Sequence, residues 1–408
     1  MNSIETLIDQ LCPNGVEFKE MGEVAYFRRG SFPQPYGERR WYDGENAMPF
    51  VQVADVGKNM LLVDNTKQKI SKLAQPKSVF VHAGTVIVTL QGSIGRVAVT
   101  QYDSYVDRTL AIFEKFKIEI NKKFFAYQLE RKFGIEKEYA RGSTLKTITK
   151  EEFTKFQIPI PPLPIQQEIV TILDKFTSLQ AELQAELQAR RAQYEYYRNQ
   201  LFSFEGKDVE WRMLGEIGEF IRGKRFVKND IVAEGIPCIH YGEMYTHYNI
   251  WAKKSKSFLE PALAAKLRVA QPGDVIIVAA GETAEDIGKG VAWLGESNVV
   301  IHDACFAFTH NLEPKYVSFF LQTDLFHSQI KRNISSGKIS SINASGLSKA
   351  TIPIPSIEVQ QEIVRILDKF NTLVTDLSVG LPAEIESRRK QYEYYRGKLL
   401  EFEPFKND

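Results

Sequence analysis

Apolar residues recur by threes and fours through Ile169, Leu173, Phe176, Leu179, Leu183, Leu187, Tyr194, Tyr197 and Leu201, the period of a coiled coil. Prolines at 159, 161, 162 and 164 lead into the pattern, as expected where a helix starts. The spacing predicts one helix over 165–202, roughly 57 Å long at ~1.5 Å per residue. The pattern returns at Ile363, Leu367, Phe370, Leu373, Leu377, Ile385, Tyr392, Tyr395 and Leu399. Gly380 and Pro382 interrupt this second run, so a kink or break is expected there. Outside these runs the chain reads as mainly β with some helix. Stretches 85–90 and 275–280 predict buried strands, each introduced by a glycine turn. Stretches 121–139 and 313–331 predict helices.

The two helical runs belong to an internal repeat. The block Gln166–Phe176 recurs 194 residues later at Gln360–Phe370, differing only at Thr171 and Arg365. A second block, Arg190–Arg198, recurs at Arg388–Arg396 with only Ala192 and Lys390 unmatched, 198 residues later. The second copy therefore carries four extra residues between its blocks, a stutter that nearly preserves helical phase. Ile-Pro-Ile-Pro stands before each run, at 158–161 and 352–355. The segments ahead of these motifs match weakly. Each half is thus a divergent module of about 140 residues with a nearly identical tail, which suggests one shared task and two different ones.

Composition changes this picture little: 43% hydrophobic and 25% charged residues are ordinary globular values. No apolar run approaches the ~20 residues of a membrane span, so no membrane partner is expected. Nothing at the start resembles a signal peptide. Cys12, Cys238 and Cys305 fit neither a disulfide framework nor a zinc knuckle, and a cytoplasmic location is the natural expectation. Net charge is +1, but residues 16–156 carry 23 lysines and arginines against 17 acidic residues, while 209–350 carry 16 against 15. A basic first module is compatible with nucleic acid.

No catalytic constellation is legible, and no metal site. Residues 281–290 superficially resemble a phosphate loop, but the spacing is too long and Gly290 stands where Ser or Thr should be. His302 and Asp303 read as a structural pair at a strand end rather than metal ligands. Several loops do suit DNA. Arg28, Arg29 and Ser31 flank Gly30, and Arg222, Lys224 and Arg225 flank Gly223 at the equivalent point of the second module. Gln91, Ser93 and Arg96 lie in a Gly-rich loop after a strand, with a longer counterpart ending at Lys289. Arg141, Ser143, Thr144 and Lys146 match a stretch holding Lys338 and Ser340. Glycine would free the backbone there, and such cations, hydroxyls and amides can grip phosphate or read base edges. On the tails, Tyr194, Tyr197 and Leu201 form one stripe, most simply the core of a helix pair. Tyr196 falls off it and is a candidate subunit contact, as are Arg190, Arg191 and the repeated Arg388, Arg389 and Tyr394.

The two-copy plan, the Ile-Pro-Ile-Pro motif, the Gln-Gln-Glu-Ile-Val block and the Tyr-Glu-Tyr-Tyr-Arg block together cover nearly the whole chain. In this combination the chain resembles the specificity subunits of type I restriction–modification systems. The resemblance implies an α+β fold of two pseudo-symmetric halves. Each half is a mostly-β target recognition domain plus a long helix, and the two helices pack as an antiparallel coiled coil. The domains would be 1–156 and 209–350, with conserved helical regions at 157–208 and 351–408. The implied task is to read a bipartite double-stranded DNA target and recruit two methylase subunits and the restriction and translocase subunits. S-adenosylmethionine, ATP and magnesium would then sit on those partners, with no cofactor on this chain. Two other readings stay open at this point: a fused restriction–methylation enzyme with its own active site, and a scaffold that does not bind DNA.

Overall fold

The computed structural model describes residues 2–57, 59–139, 150–335, 337 and 339–405. The principal helices are α1 (Lys122–Tyr139), α2 (Leu163–Ser203), α3 (Pro314–Phe320), α4 (Asp324–Ile330), α5 (Ile357–Thr375) and α6 (Leu381–Leu399). The chain forms two compact units, one of Met1–Glu182 with Glu386–Asp408, the other of Leu183–Ile385. Each unit therefore combines one divergent module with the helix segments that pack on it.

In the first unit, β1 (Ala25–Arg29), β2 (Met48–Val51), β3 (Val86–Thr89), β4 (Val97–Val99), β5 (Ser104–Val106) and β6 (Leu110–Phe116) form the heart of two sheets. One is antiparallel in the order β1-β6-β3-β4. The other pairs β2 with β5 in parallel. The second unit repeats this with β7 (Gly218–Arg222), β8 (Ile236–Ile239), β9 (Val275–Val278), β10 (Gly290–Trp293), β11 (Val299–Ile301) and β12 (Cys305–His310). Its order β7-β12-β9-β10 is antiparallel, and β8 pairs with β11 in parallel. The predicted strands β3 and β9 are buried at every position, the environment β-branched runs favour. Gly84 and Gly273 take left-handed φ of 80° and 98° just before them.

The expected helix over 121–139 forms as α1. The one expected over 313–331 does not form as a single helix. The Thr323 hydroxyl donates to Phe320 O, ending α3, and accepts from the Phe326 N–H, starting α4.

The repeated motifs attach module to helix in the same way twice. Ile-Pro-Ile-Pro supplies one strand of a two-stranded ribbon in each unit, Gln157–Pro159 against Phe18–Glu20 and Thr351–Ile354 against Glu210–Met213. The buried Gln166 side chain accepts the Asn121 N–H at 2.8 Å and donates to Pro161 O at 2.7 Å. Buried Gln360 accepts the Glu313 N–H at 3.0 Å and donates to Pro355 O at 2.9 Å. Each glutamine thus ties the start of a module helix to the chain entering the tail. An ion pair follows in each: Lys123–Asp174 at 2.6 Å, Lys315–Asp368 at 2.7 Å.

The tails exchange partners. In the first unit Phe176 of α2 stacks on Tyr395 of α6, ring centroids 5.6 Å apart. In the second, Tyr197 of α2 meets the equivalent pair member, Phe370 of α5, at 5.4 Å. There Gln200, Leu201 and Phe204 share a groove with Val359, Glu362, Ile363 and Ile366, so α5 runs antiparallel to α2. Tyr194 is buried as the stripe predicts, while Tyr197 keeps its outer side exposed. The four extra residues do not continue the helical phase. They are spent in the turn between α5 and α6, where Asp376 accepts from the Ser378 and Val379 N–H groups. Gly380 lies so close to Thr372 O that a Cβ would stand 2.5 Å away. Pro382 sits in the first turn of α6, where its missing N–H costs nothing, so it starts a helix rather than kinking one.

Candidate nucleic-acid interface

Strand direction gathers most of the sequence-predicted loops of a module at one end of its sheet. In the first unit, Arg29 pairs with Ala111 near the start of β6, and Thr89 at the end of β3 pairs with Leu110. The end of β1, the loop after β3 and the entry to β6 therefore meet. In the second unit Arg222 pairs with Phe306 and Val278 with Cys305, making the same junction. The stretch around Ser340 joins it by pairing with Gly281. Arg141, Ser143, Thr144, Lys146 and Lys338 lie outside the described residues.

The glycines at this junction serve a different purpose from the one expected. Neither Gly30 nor Gly223 has a left-handed φ. A Cβ on Gly30 would stand 2.2 Å from Val106 O, and one on Gly223 2.2 Å from His302 O. Hydrogen alone fits, because the chain leaving β1 or β7 crosses directly over the end of the parallel pair.

The candidate side chains fare unequally. Arg28 and Arg29 are exposed, Arg28 lying 3.7 Å from Glu114. Gln91 and Ser93 are exposed on their loop. The Ser31 hydroxyl is spent on Lys77 O, and half-buried Arg96 reaches back to Val56 O. Arg222 donates to Asp303 O and lies over the Phe306 ring, while Lys224 donates to Lys266 O. These bonds hold aliphatic stems in place while the charges stay at the surface. Arg225 is exposed. Lys289 pairs with Asp286 at 2.6 Å, and Ser340 is buried, so neither is a freely presented contact.

The structure adds residues that the sequence reading missed. Immediately after the parallel pair come Gln52 and Asp107 in the first unit and His240 and His302 in the second. The Asp107 N–H bonds Val51 O at 3.0 Å, and the His302 N–H bonds Ile239 O at 3.3 Å. The Gln52 and His240 N–H groups are each capped by an acid three residues on, Asp55 and Glu243. The backbone frame is the same and the side chains are not. In the first unit Gln52 donates to the Tyr36 hydroxyl at 2.8 Å, Tyr36 faces buried Asp107, and Arg108 lies 5.4 Å over the Tyr36 ring. Nearby, Arg40 and Lys77 cover the Trp41 ring at 4.4 and 5.0 Å. In the second unit His240, Tyr241, His302 and Phe226 form a ring cluster with centroids 4.6–5.9 Å apart. Burial holds both imidazoles below their ordinary pKa. His302 Nδ1 accepts the Ala304 N–H, so its 3.0 Å approach to Asp303 is a contact of a neutral ring rather than an ion pair at neutral pH. The only sequence signal was compositional, since the pairing of residues 55 positions apart in the first unit and 62 in the second leaves no local trace.

On the tails, Tyr196 and Tyr394 are 60% and 55% exposed, and each packs its ring edge-on to the next tyrosine at 5.5 and 5.3 Å. Arg190 pairs with Glu186, Arg389 with Glu386 and Glu393, and Arg388 bonds Gln391. Arg191 is exposed. Among the described residues no group of His, Cys, Asp and Glu could hold a metal ion, and no helix is long and apolar enough to cross a membrane.

Two modules of one design with divergent faces match what comparison with known proteins finds. The family model described as the type I restriction modification DNA specificity domain matches twice, over residues 13–190 and 206–387. The chain belongs to that family. It is 36% identical over 280 residues to the EcoR124I/EcoR124II specificity subunit of Escherichia coli, covering 65% of this chain and 68% of that one. A putative specificity subunit of Haemophilus influenzae is 33% identical over 302 residues, covering 70% and 74%. Among solved structures, the specificity subunit of Thermoanaerobacter tengcongensis superposes with a TM-score of 0.52 at 16% identity, covering 96% of this chain and 97% of that one. A chain from a type I restriction–modification assembly reaches 0.66 at 16%, covering 95% and 98%. The α+β architecture of two pseudo-symmetric halves is therefore the family fold. As a type I specificity subunit, the chain is the recognition component of such a system and not its catalyst.

Proposed function

We propose that the chain reads a bipartite double-stranded DNA target, one half-site per module, with 1–156 and 209–350 as target recognition domains. The regions 157–208 and 351–408 then dock two methylase subunits through the repeated surfaces at Tyr196 and Tyr394, with Arg190, Arg191, Arg388 and Arg389 beside them. Restriction and translocase subunits complete the assembly in the cytoplasm, and S-adenosylmethionine, ATP and magnesium sit on the partners. One observation carries the reading. Equivalent backbone frames bear unlike side chains at Gln52 and His240, whereas the module-to-tail attachments at Gln166 and Gln360 are the same. Two different recognition tasks and one repeated docking task would leave that signature.

The test is to exchange residues 16–156 for the matching module of a relative and map adenine methylation by the assembled system. One half of the target should change and the other should persist. If both halves changed, the modules would not be independent readers. Stoichiometric S-adenosylmethionine binding by this chain alone would favour a fused enzyme, and the absence of salt-dependent DNA binding would favour a scaffold.

A further inference from the structure

We infer that Gln52 with Arg108 in the first unit, and His240 with Tyr241 in the second, are the base-contacting groups, Gln52 and His240 being seated at equivalent points of one shared frame. The inference rests on the bipartite reading above and assigns its chemistry to particular side chains.

The frame comes first. The four residues stand at the exits of two parallel strand pairs whose backbone bonds correspond one for one: Asp107 to Val51 and His302 to Ile239, Gln52 to Asp55 and His240 to Glu243. Gly30 and Gly223 let the neighbouring strand exit pass within touching distance of the same spot. That crossing brings Arg29 and Ser31, or Arg222, Lys224 and Arg225, alongside. Cations able to hold phosphate thus stand next to groups able to read bases, the division of labour DNA recognition requires.

The side chains are also held in place. Gln52 spends one N–H on the Tyr36 hydroxyl, which itself faces the Asp107 carboxylate, so the amide is oriented. Asp107 is fixed in turn by accepting from both the backbone and the hydroxyl of Thr109. Arg108 is exposed and its guanidinium lies over the Tyr36 ring, a contact that keeps it beside Gln52. An oriented amide suits adenine N6/N7, and a guanidinium suits guanine O6/N7. In the second unit His240 Nδ1 accepts the Gly242 N–H, so Nε2 carries the hydrogen of the neutral ring and can donate. Tyr241 is 36% exposed and packs against both imidazoles, so its hydroxyl has a settled position. Tyr36 and Asp107, and Phe226 and His302, are positioning residues under these contacts. The two faces offer different donor and acceptor patterns, as two unlike half-sites demand.

The experiment uses the full chain assembled with the methylase subunit of its own system and selects bound DNA from a pool randomised in both half-sites. Gln52→Ala and Arg108→Ala should each relax one base position in one half-site, by about tenfold to a hundredfold in discrimination, the value of a good base contact. His240→Ala and Tyr241→Phe should relax positions in the other half-site only. Tyr36→Phe should act on the Gln52 position through loss of orientation, and His240→Gln, similar in size, should shift base preference rather than abolish binding. Thermal unfolding of each variant shows whether it is folded. Folded variants that keep full discrimination in both halves overturn this inference while leaving the bipartite reading standing. So does an equal loss of affinity for every sequence, which marks phosphate or structural contacts. A wild-type complex that selects no split sequence overturns the bipartite reading itself.

Discussion

Gln166 and Gln360 make the same pair of hydrogen bonds in the two units, to the start of a module helix and to a proline carbonyl. Gln52 and His240 share a backbone position and no side-chain chemistry. The contrast shows what each region has to satisfy. A buried amide between a helix start and a proline carbonyl must meet both, because an orphaned buried donor or acceptor costs about 1–3 kcal/mol. The Gln52 and His240 side chains at the exits of the strand pairs are only half-buried, so the fold tolerates an amide or an imidazole there. Attachment is dictated by internal stoichiometry and reading by whatever is read.

The largest expected departure from this parallel is acid sensitivity confined to the second unit. His310 ends β12, and its pKa is pushed down to about 4 by burial, with the Leu312 N–H donated to Nδ1. By strand register its counterpart in the first unit is Lys115, which lies in the exposed half of β6. A folded pKa below the unfolded value near 6.5 means the unfolded chain binds the proton first. The stability is intact above about pH 6.5 and is lost as pH falls toward 4, up to about 3 kcal/mol. Unit-resolved hydrogen exchange between pH 7 and 4.5 should show the second unit opening first. Equal acid sensitivity in both units, or a slope undiminished in His310→Gln, would place the effect elsewhere.

The next effect tests the parallel itself. Gln166→Ala and Gln360→Ala each leave two buried or half-buried backbone groups without their partner and should each cost about 1–3 kcal/mol in chemical denaturation, by similar amounts. Costs differing by more than about 1 kcal/mol would mean that one attachment has a compensating partner and the two are not equivalent.

The smallest effect on stability is expected at the tails. Tyr196→Ala and Tyr394→Ala remove exposed rings and should shift stability by no more than about 0.5 kcal/mol. Each should nevertheless remove one of two methylase subunits from the assembly, read as mass by light scattering. Full assembly in both single variants would free these rings from the docking role.

Much of this was legible in the sequence. The α2 stripe, the strands β3 and β9, the twofold repeat and the break near Pro382 follow from periodicity and from the conformational limits of proline, which act over a few residues. The paired Gln-Gln-Glu blocks were legible as a repeat but not as an attachment, since Gln166 reaches a helix start 45 residues away. The division of 313–331 into α3 and α4 was not legible, because Thr323 is compatible with a helix until its hydroxyl finds Phe320 O and Phe326 N–H. Among the loop candidates, composition could not tell exposed Arg29 from Arg96 and Lys289, which fold back on Val56 and Asp286.

By itself, then, the sequence determined the repeat, the long helices and the family, because these are written in short-range pattern and motif. Only the tertiary structure decided which unlike residues occupy the same place. Gln52 meets Tyr36 and Asp107, and His240 meets His302, because parallel strands bring together residues 55 and 62 positions apart, and that pairing depends on the packing of both sheets rather than on any local preference.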